Sequence, residues 1–332
     1  MGTQGDTTVH SISVVIPVYQ GEHTLAPLLA EIAPLAEGVT TAGDNSYRVT
    51  EVLLVHDNGS DASDVTMRAL EQQYDFVRAI WLTRNFGQHA ATLAGIASSS
   101  GDWVVTIDED GQQDPAEIAH LLDAAVDTRS QVVYGKPVNP PPHGALRNLA
   151  SKSAKKLVTS FVRSNASEYN SYRLMLGSVA RSVAAYSGSG VYLDVALSWI
   201  AGTFTTAPVT LRSETRESGY SIRRLFSHFW RLVISSGTRG LRMVSILGVV
   251  LAGLGLLFVV WIIIAKLTMG IDAEGWASTN VIILLSTGAI LFSLGVVAEY
   301  VGVNVNMAMG KPGYVITSDP NDGPLGYRTP RS

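Results

Sequence analysis

Short β-branched runs alternate with segments of helical apolar spacing over residues 12–135. The runs predict strands and the segments between them predict helices. The predicted strands are residues 12–17, 51–55, 77–82, 103–107 and 131–134, and the predicted helices are residues 24–35, 64–74, 89–98 and 115–126. This alternation predicts an α/β fold in which a mostly parallel sheet carries helices on both faces.

Polar clusters follow four of the predicted strands, at residues 19–22, 57–61, 84–88 and 108–114. The carboxyl ends of parallel strands lie along one edge of a sheet, and open α/β sheets bind their ligands beyond that edge. The four clusters therefore predict a single ligand-binding crevice.

The last of these clusters carries carboxylates at alternating positions, Asp108 and Asp110. Alternate residues of an extended backbone project to the same side, so both carboxylates can face one ligand. A hard divalent cation such as Mg²⁺ or Mn²⁺ is held by one or two carboxylates together with phosphate oxygens. The pattern favours a metal site for a diphosphate, although an acidic turn that Asp114 caps explains the same residues.

Two other clusters offer groups that suit a nucleotide. Asp57 can accept hydrogen bonds from a base or a ribose, and an Asx turn explains the same residue. Arg84 supplies a cation in a loop before a helix amino terminus, where a diphosphate can bind, and an ordinary loop and cap is the alternative. Each motif is weak alone, and their position at successive strand ends favours the nucleotide site.

Two uncharged apolar stretches, residues 246–265 and 281–298, approach the roughly 20 residues needed to cross a bilayer. They predict two transmembrane helices. Residues 145–163 and 221–240 combine apolar residues at helical spacing with basic residues, and predict amphipathic helices at the membrane interface. Arginines precede the first span and Lys311 follows the second. The positive-inside rule therefore predicts a multi-pass protein of the cell membrane with both termini in the cytoplasm.

Composition limits the partners and the covalent links that can be expected. The formal net charge of −4 gives no global basic field, so nucleic acid is not an expected partner, and the absence of cysteine excludes disulfides.

The predicted organisation is a flexible amino terminus (1–11), a catalytic domain that includes the interfacial helix (12–220), a juxtamembrane amphipathic helix (221–240), a transmembrane hairpin (241–303) and a cytoplasmic tail (304–332). The Pro-, Gly- and Asp-rich stretch beyond Ser318 is predicted to be disordered.

The motifs together resemble those of a known family. The segments VVIPVY at 14–19 and RNFGQH at 84–89, the carboxylate motif and the paired apolar stretches are similar to those of family-2, GT-A-fold glycosyltransferases of the polyprenyl-phosphate type. These include dolichyl-phosphate mannose synthases and bacterial undecaprenyl-phosphate glucosyl and aminoarabinosyl transferases. The resemblance implies inverting, Mg²⁺- or Mn²⁺-dependent sugar transfer from a UDP- or GDP-sugar to a polyprenyl (undecaprenyl or decaprenyl) phosphate at the cytoplasmic membrane face.

The resemblance also implies which residues bind the donor. Those that border the nucleoside are Pro17, Tyr19, Glu22 and Asp57. Those that form the metal and diphosphate site are Asp108, Asp110 and Gln112.

A second set of residues is implied on the acceptor side. Glu168 stands where the family has an aspartate that is proposed as a base, and Arg173 follows in the same stretch. Arg212 and Arg216 are rival matches for one family arginine near the phosphates. The remaining candidates for the lipid phosphate or the membrane surface are Ser218, Tyr220, Lys152, Lys155 and Lys156.

Three other classes of protein compete with this interpretation. A processive polysaccharide synthase of the same fold normally has more spans and a Q-x-x-R-W signature, and neither is found. A non-catalytic membrane scaffold predicts loss of the strand-end carboxylates, which are present. A soluble dinucleotide dehydrogenase needs G-x-G-x-x-G after the first strand, where the chain has PVYQGE. The sequence leaves the sugar, the donor base, the prenyl length and the oligomeric state open, a homo-oligomer included.

Overall fold

The computed structural model describes residues 9–138, 170–188, 192–212 and 275–322, with scattered helical positions between 244 and 268. It divides into two units, Met1–Gly219 with Pro312–Ser332, and Tyr220–Lys311. Some predicted features lie outside the described residues: the helices at 145–163 and 221–240, most of the first span, and Lys152, Lys155, Lys156, Glu168, Arg216, Ser218 and Tyr220.

The described strands of the first unit form one sheet of nine. They are β1 His10–Val18, β2 Val39–Thr40, β3 Ser46–His56, β4 Val77–Leu82, β5 Trp103–Thr106, β6 Val132–Pro137, β7 Arg173–Leu176, β8 Phe204–Val209 and β9 Ile316–Thr317. The order across the sheet is β8-β6-β7-β5-β1-β3-β4-β9, and β2 pairs with β3.

The sheet is mixed, with a parallel centre. As predicted, β1 is parallel to β3 and to β5, and β3 is parallel to β4. Strand β7 runs antiparallel to β5 and β6, and β9 runs antiparallel to β4. The sequence shows no sign of these reversals, because the alternation of strands and helices on which the prediction rests ends at β6.

Within the described residues, six α-helices cover the two faces of this sheet. They are α1 Leu25–Ile32, α2 Ser63–Gln73, α3 Gln88–Ala97, α4 Ile118–Thr128, α5 Gly177–Tyr186 and α6 Leu193–Ile200. Helices α1, α2 and α4 share one buried cluster with the sheet, and α3, α5 and α6 share another. Successive strand residues alternate between the clusters, as Val14 and Val15 do. The prediction of an α/β fold with helices on both faces is confirmed.

Every predicted strand and helix of residues 12–135 is present, with ends that differ by a few residues. The largest difference is in β3, which begins at Ser46 because Tyr47 and Val49 are also buried and extend the alternation. The sequence pattern did not predict β2, β7, β8, β9, α5 or α6. Strand β7 has four residues and runs directly into α5, so no polar break separates two different periodicities.

The second unit is described mainly through helix α7, Trp276–Ala308. Within it, Leu285–Val305 is long and apolar enough to cross a membrane. Its mean hydropathy is 1.6, and only 6% of its most apolar stretch is buried. Among the described residues, no other helix meets this test, so two spans were predicted and one is found. Helical positions in the first predicted span also expose apolar side chains, such as Leu257 and Trp261. Exposed apolar surface on this scale is typical of contact with lipid or another protein.

The chain after α7 belongs to the first unit. Strand β9 pairs with β4, and Asp319 forms an ion pair with Arg68 of α2. The predicted disorder beyond Ser318 is therefore wrong for residues 319–322, because a pattern rich in Pro, Gly and Asp gives no sign of a charged partner far away in the sequence.

The packing of α3 on the sheet gives a test of this core. An added Cβ at Gly95 would lie 2.4 Å from Val15 Cγ1 and 2.9 Å from Val55 Cγ2. We expect Gly95→Ala to cost about 1–3 kcal/mol through overpacking and to lower the unfolding midpoint of purified protein by about 2–12 °C. Gly202→Ala is the matched control, because its nearest neighbour is an ordinary 3.5 Å from the new atom. Equal midpoints for the two variants would contradict this packing.

Candidate active site

The loops at the carboxyl ends of β1, β3, β4 and β5 meet in one crevice, and hydrogen bonds from side chain to backbone join them. Asp57, only 3% exposed, accepts from the backbone N–H of Phe86 at 2.7 Å and of Gly87 at 2.8 Å. Burial raises the pKa of the Asp57 carboxyl, and these two hydrogen bonds oppose the shift. Gly87 has φ +92°, a conformation that favours glycine, immediately before α3. The loop at 84–88 is thus fixed by the end of the neighbouring strand.

The loops after β1 and β3 approach too closely for a side chain between them. A Cβ at Gly59 would lie 1.6 Å from the carbonyl oxygen of Tyr19. Farther along the same loops, the Glu22 N–H donates to Asp61 Oδ2 at 3.2 Å, and the Glu22 carboxylate accepts from the N–H of Ala62 at 3.3 Å. Glu22, predicted at the nucleoside, therefore helps to hold these two loops together.

Glu109 is a site residue that sequence reasoning missed. Its carboxylate accepts from the backbone N–H of Tyr19 at 2.9 Å and of Gln20 at 3.0 Å. Burial raises its pKa, and these hydrogen bonds oppose that shift. The sequence marks Glu109 only by its position between the two aspartates of the D-x-D pattern. Residues 109 and 110 lie in a turn after β5, so the alternation of an extended strand does not apply to them. Glu109 fixes the β1 loop against the carboxylate motif.

Asp108 lies at the centre of a polar network. Its Oδ1 accepts from Gln88 Nε2 at 2.6 Å, and its Oδ2 accepts from Gln113 Nε2 at 3.1 Å and from the Ser171 hydroxyl. Burial raises the Asp108 pKa, the Ser171 hydrogen bond opposes this, and the nearby Asp110 charge raises it further. The loops at 84–88 and 108–114 are thereby joined.

Asp110 is exposed at the mouth of the crevice, and Gln112 holds its carboxylate in place. Its two carboxylate oxygens accept from the backbone N–H and from Nε2 of Gln112, both at 3.0 Å. Among the described residues, no group of three His, Cys, Asp or Glu side chains could hold a metal unaided. Asp108 and Asp110 nevertheless offer hard oxygen donors whose mutual repulsion a cation would relieve. This pair fits a Mg²⁺- or Mn²⁺-type ion that draws its other ligands from phosphate and water.

A cavity of about 240 Å³ opens beside Asp108. The residues that line it carry polar or charged groups, and they are Gln88, His89, Thr92, Asp108, Asn170, Ser171, Arg173 and Asp194. Arg173, 3% exposed, forms an ion pair with Asp194 and donates from Nε to the Thr106 hydroxyl at 3.1 Å. Asp194 also accepts from the Tyr134 hydroxyl at 3.0 Å. Asp194 was missed because it lies in an apolar helical pattern, where nothing in the sequence indicates a buried partner.

The other predicted residues lie around the crevice. Pro17 is buried in β1, and the Tyr19 side chain is 44% exposed. The Arg84 guanidinium carbon lies 4.0 Å from the centroid of the Phe86 ring. Arg212 was expected near a lipid phosphate, but it forms ion pairs with Glu31 and Asp114, both at 2.8 Å. Glu31 lies near the end of α1, which carries no motif, and Asp114 is the last residue of the carboxylate cluster at 108–114. Neither position indicates a pairing with Arg212, which is why the sequence does not reveal these contacts.

Comparisons with known proteins agree on family and fold. The profile of the family described as "Glycosyl transferase family 2" matches residues 13–185. An undecaprenyl-phosphate 4-deoxy-4-formamido-L-arabinose transferase from Edwardsiella ictaluri is 30% identical over 314 residues, 93% of this chain and 94% of that protein. The transferase of the same name from Aeromonas hydrophila is 30% identical over 319 residues, 94% of each.

Among solved structures, glucosyl-3-phosphoglycerate synthase from Mycobacterium tuberculosis, in complex with Mn²⁺, UDP-glucose and phosphoglyceric acid, has a TM-score of 0.52 at 17% identity. The match covers 69% of this chain and 79% of that one. At this identity the comparison shows a shared fold of the GT-A type.

The role of Glu109 in holding the β1 loop can be tested without an activity assay. Glu109→Gln replaces one acceptor oxygen by an amide that cannot accept from a backbone N–H. Because hydrogen bonds to a charged group contribute about 1.5–3 kcal/mol, we expect amide exchange at Tyr19 and Gln20 to accelerate about 10- to 100-fold. Hydrogen-exchange mass spectrometry of that segment measures the change, and Glu37→Gln on the surface is the control. Unchanged exchange in Glu109→Gln would remove Glu109 from this role.

Proposed function

Because this chain belongs to glycosyl transferase family 2, we propose that it transfers a sugar from a nucleoside diphosphate donor to a polyprenyl phosphate at the cytoplasmic face of the cell membrane. The chain is a glycosyltransferase by family. The observation that carries the acceptor is the length of the match, since 93% of the chain aligns with transferases named for undecaprenyl phosphate. That length includes both the catalytic unit and the apolar helix α7.

The nucleoside is assigned to the crevice between the ends of β1 and β3. Pro17 and Tyr19 border it on one side, and the exposed Tyr19 ring offers a face for the base. The Asp57 carboxylate is occupied by two loop amides, so its first role is to shape the loop at 84–88. Arg84 and the amino terminus of α3 then face the diphosphate, for which a cation and the positive end of a helix are suited.

Asp108 and Asp110 are assigned to a Mg²⁺ or Mn²⁺ ion, with Gln112 holding Asp110 in place. When bound, such an ion neutralises charge on the departing nucleoside diphosphate. The Mn²⁺ in the structural relative is a property of that protein, and the ion used by this chain remains part of the proposal.

The polar cavity beside Asp108 is assigned to the transferred sugar. Its volume of about 240 Å³ is below the roughly 300–1,000 Å³ of sites for drug-sized ligands, so it suits one sugar ring better than a whole nucleotide sugar. Its charged walls are Asp108, Asp194 and Arg173, which gives a net charge of −1 when all are ionised. A neutral polyhydroxyl ring matches these walls better than a dianionic phosphate does.

The acceptor phosphate attacks the anomeric carbon from the side opposite the diphosphate. A phosphate monoester is largely dianionic at neutral pH, so its oxygen needs little deprotonation. The new oxygen–carbon bond forms as the bond to the diphosphate oxygen breaks, the electron pair leaves with the nucleoside diphosphate, and the configuration inverts. Glu168 is assigned to orienting groups, and the lipid phosphate to Arg216, Ser218, Tyr220, Lys152, Lys155 and Lys156. The sequence also placed Arg173 at this phosphate, but its burial and its ion pair with Asp194 favour a role in the wall of the sugar cavity.

The membrane arrangement is the final part of the proposal. Helix α7 and the apolar stretch at 246–265 form a two-span hairpin, and the arginine bias places both termini in the cytoplasm. The anionic headgroup then reaches the crevice while the prenyl tail stays in hydrocarbon.

Metal dependence is the first functional prediction. Excess EDTA should stop transfer and added Mg²⁺ or Mn²⁺ should restore it, because two carboxylates otherwise repel an incoming diphosphate. Asp110→Asn should lower kcat/KM by about 100-fold or more, in the range found when one charge-stabilising group is removed. Its unfolding midpoint should stay within about 2 °C of the unsubstituted protein, since Asp110 is exposed. Full transfer in EDTA would refute the metal assignment.

The acceptor is tested with membranes supplied with polyprenyl phosphate and a panel of radiolabelled nucleotide sugars. We expect a chloroform-extractable product with one donor and none when the lipid is replaced by a water-soluble phosphate monoester. Asp110→Asn membranes are the control for background transferases. Efficient labelling of a soluble acceptor, with no lipid product from any donor, would overturn the lipid assignment and leave only the family.

A further inference from the structure

The segment after α7 returns to the catalytic unit and lies on its sheet. Residues 312–322, here named the C-terminal strap, include β9, which pairs antiparallel with β4 in the register Trp81–Thr317 and Leu82–Ile316. The Thr83 N–H, just beyond β4, donates to the carbonyl of Val315 at 3.1 Å. The strap thus covers the edge of β4, which would otherwise present unpaired backbone groups.

A partly buried ion pair between Arg68 and Asp319 fastens the far end of the strap. Arg68 of α2 donates from Nε to Asp319 Oδ2 at 2.7 Å and from Nη2 to Oδ1 at 2.8 Å, while Nη1 donates to Asp64 at 2.8 Å. The same guanidinium lies 4.7 Å from the centroid of the Trp81 ring. Bidentate pairing of arginine with a carboxylate is among the stronger and more directional polar contacts in proteins. Arg68 and Asp319, which are 251 positions apart in the sequence, are thereby held in a defined geometry.

The strap is attached at the base of the loop that builds the donor side of the crevice. Strand β4 ends at Leu82, and the next residues form the loop at 84–88. Tyr314 of the strap and Phe86 of the loop both pack against the buried cluster beneath α3. From this loop, Phe86 and Gly87 donate to Asp57, and Gln88 donates to Asp108. The loop is therefore held between the crevice on one side and the strap on the other.

We propose that the C-terminal strap, fastened by Arg68–Asp319, is a positioning element that holds the loop at 84–88 in the conformation that binds the nucleoside diphosphate. The proposal rests on the donor site assigned under the proposed function. When the strap is loosened, the loop occupies its binding conformation for a smaller fraction of the time. The apparent dissociation constant rises in inverse proportion to that fraction, while the reacting groups themselves are unchanged.

A positioning role and a purely stabilising role predict different results. If the strap only stabilises the fold, loosening it lowers the unfolding midpoint but leaves the loop amides and the donor KM unchanged at temperatures where the protein is folded. If the strap positions the loop, exchange at Phe86 and Gly87 accelerates and the donor KM rises, with little change in kcat.

Asp319→Asn is the first variant, because it removes the charge and keeps the shape. We expect the KM for the nucleotide sugar to rise about 5- to 20-fold at a nearly constant kcat, and amide exchange at Phe86 and Gly87 to accelerate by a similar factor. Asp64→Asn is the matched control, since it removes the other carboxylate on Arg68 without touching the strap. Unchanged KM and unchanged exchange in Asp319→Asn would overturn the proposal.

Rescue in trans gives a second, independent readout. A chain that ends at Lys311 should show the same rise in KM and in loop exchange, and a synthetic peptide of residues 312–322 should reverse both by adding a strand to β4. The same peptide carrying Asp319→Ala should rescue poorly. The exchange measurements need no acceptor or turnover, so they decide the positioning role even if no lipid product forms and the proposed function fails. A wild-type peptide that binds but changes neither KM nor exchange would refute the proposal.

Discussion

The crevice depends on carboxylates that accept hydrogen bonds from the backbone of a neighbouring loop. Asp57 holds Phe86 and Gly87, and Glu109 holds Tyr19 and Gln20. Taking a carboxylate out of water is unfavourable and raises the pKa of Asp57 and of Glu109, and the hydrogen bonds from paired N–H groups offset part of that cost. Loops without regular structure thus gain fixed positions, and the remaining carboxylates of the site can face a ligand.

The parts of the structure that were predictable from the sequence are those governed by local periodicity. Alternation over residues 12–135 was enough for five strands, four helices and the edge at which their loops meet, because parallel strands place their carboxyl ends together. Strand β7 and the ion pair of Arg173 with Asp194 were not predictable. They depend on contacts between segments distant in the chain, and neither a four-residue strand nor one acid in an apolar helix carries a periodic signal.

The carboxylate motif shows the same limit within a single stretch of sequence. Asp108, Glu109 and Asp110 are consecutive carboxylates, yet the first lies in a polar network, the second holds another loop and the third is exposed. Residues 109 and 110 lie in a turn after β5, and only the position of the β1 loop reveals what Glu109 binds. Reading the motif as D-x-D therefore picks out the two aspartates that are proposed to face a ligand and overlooks Glu109, which holds the β1 loop.

The pairing of β9 with β4 can form only late during synthesis of the chain. Chains emerge from the amino terminus, so β4 and its loop are made long before residues 316–317 exist, and the apolar helix α7 is made in between. The contact between Arg68 and Asp319 closes a loop of 251 residues, which is slow compared with local folding. The enzyme therefore reaches its final form only after the long apolar helix α7 has been translated, and a nascent chain that stops earlier remains incomplete at the sheet edge.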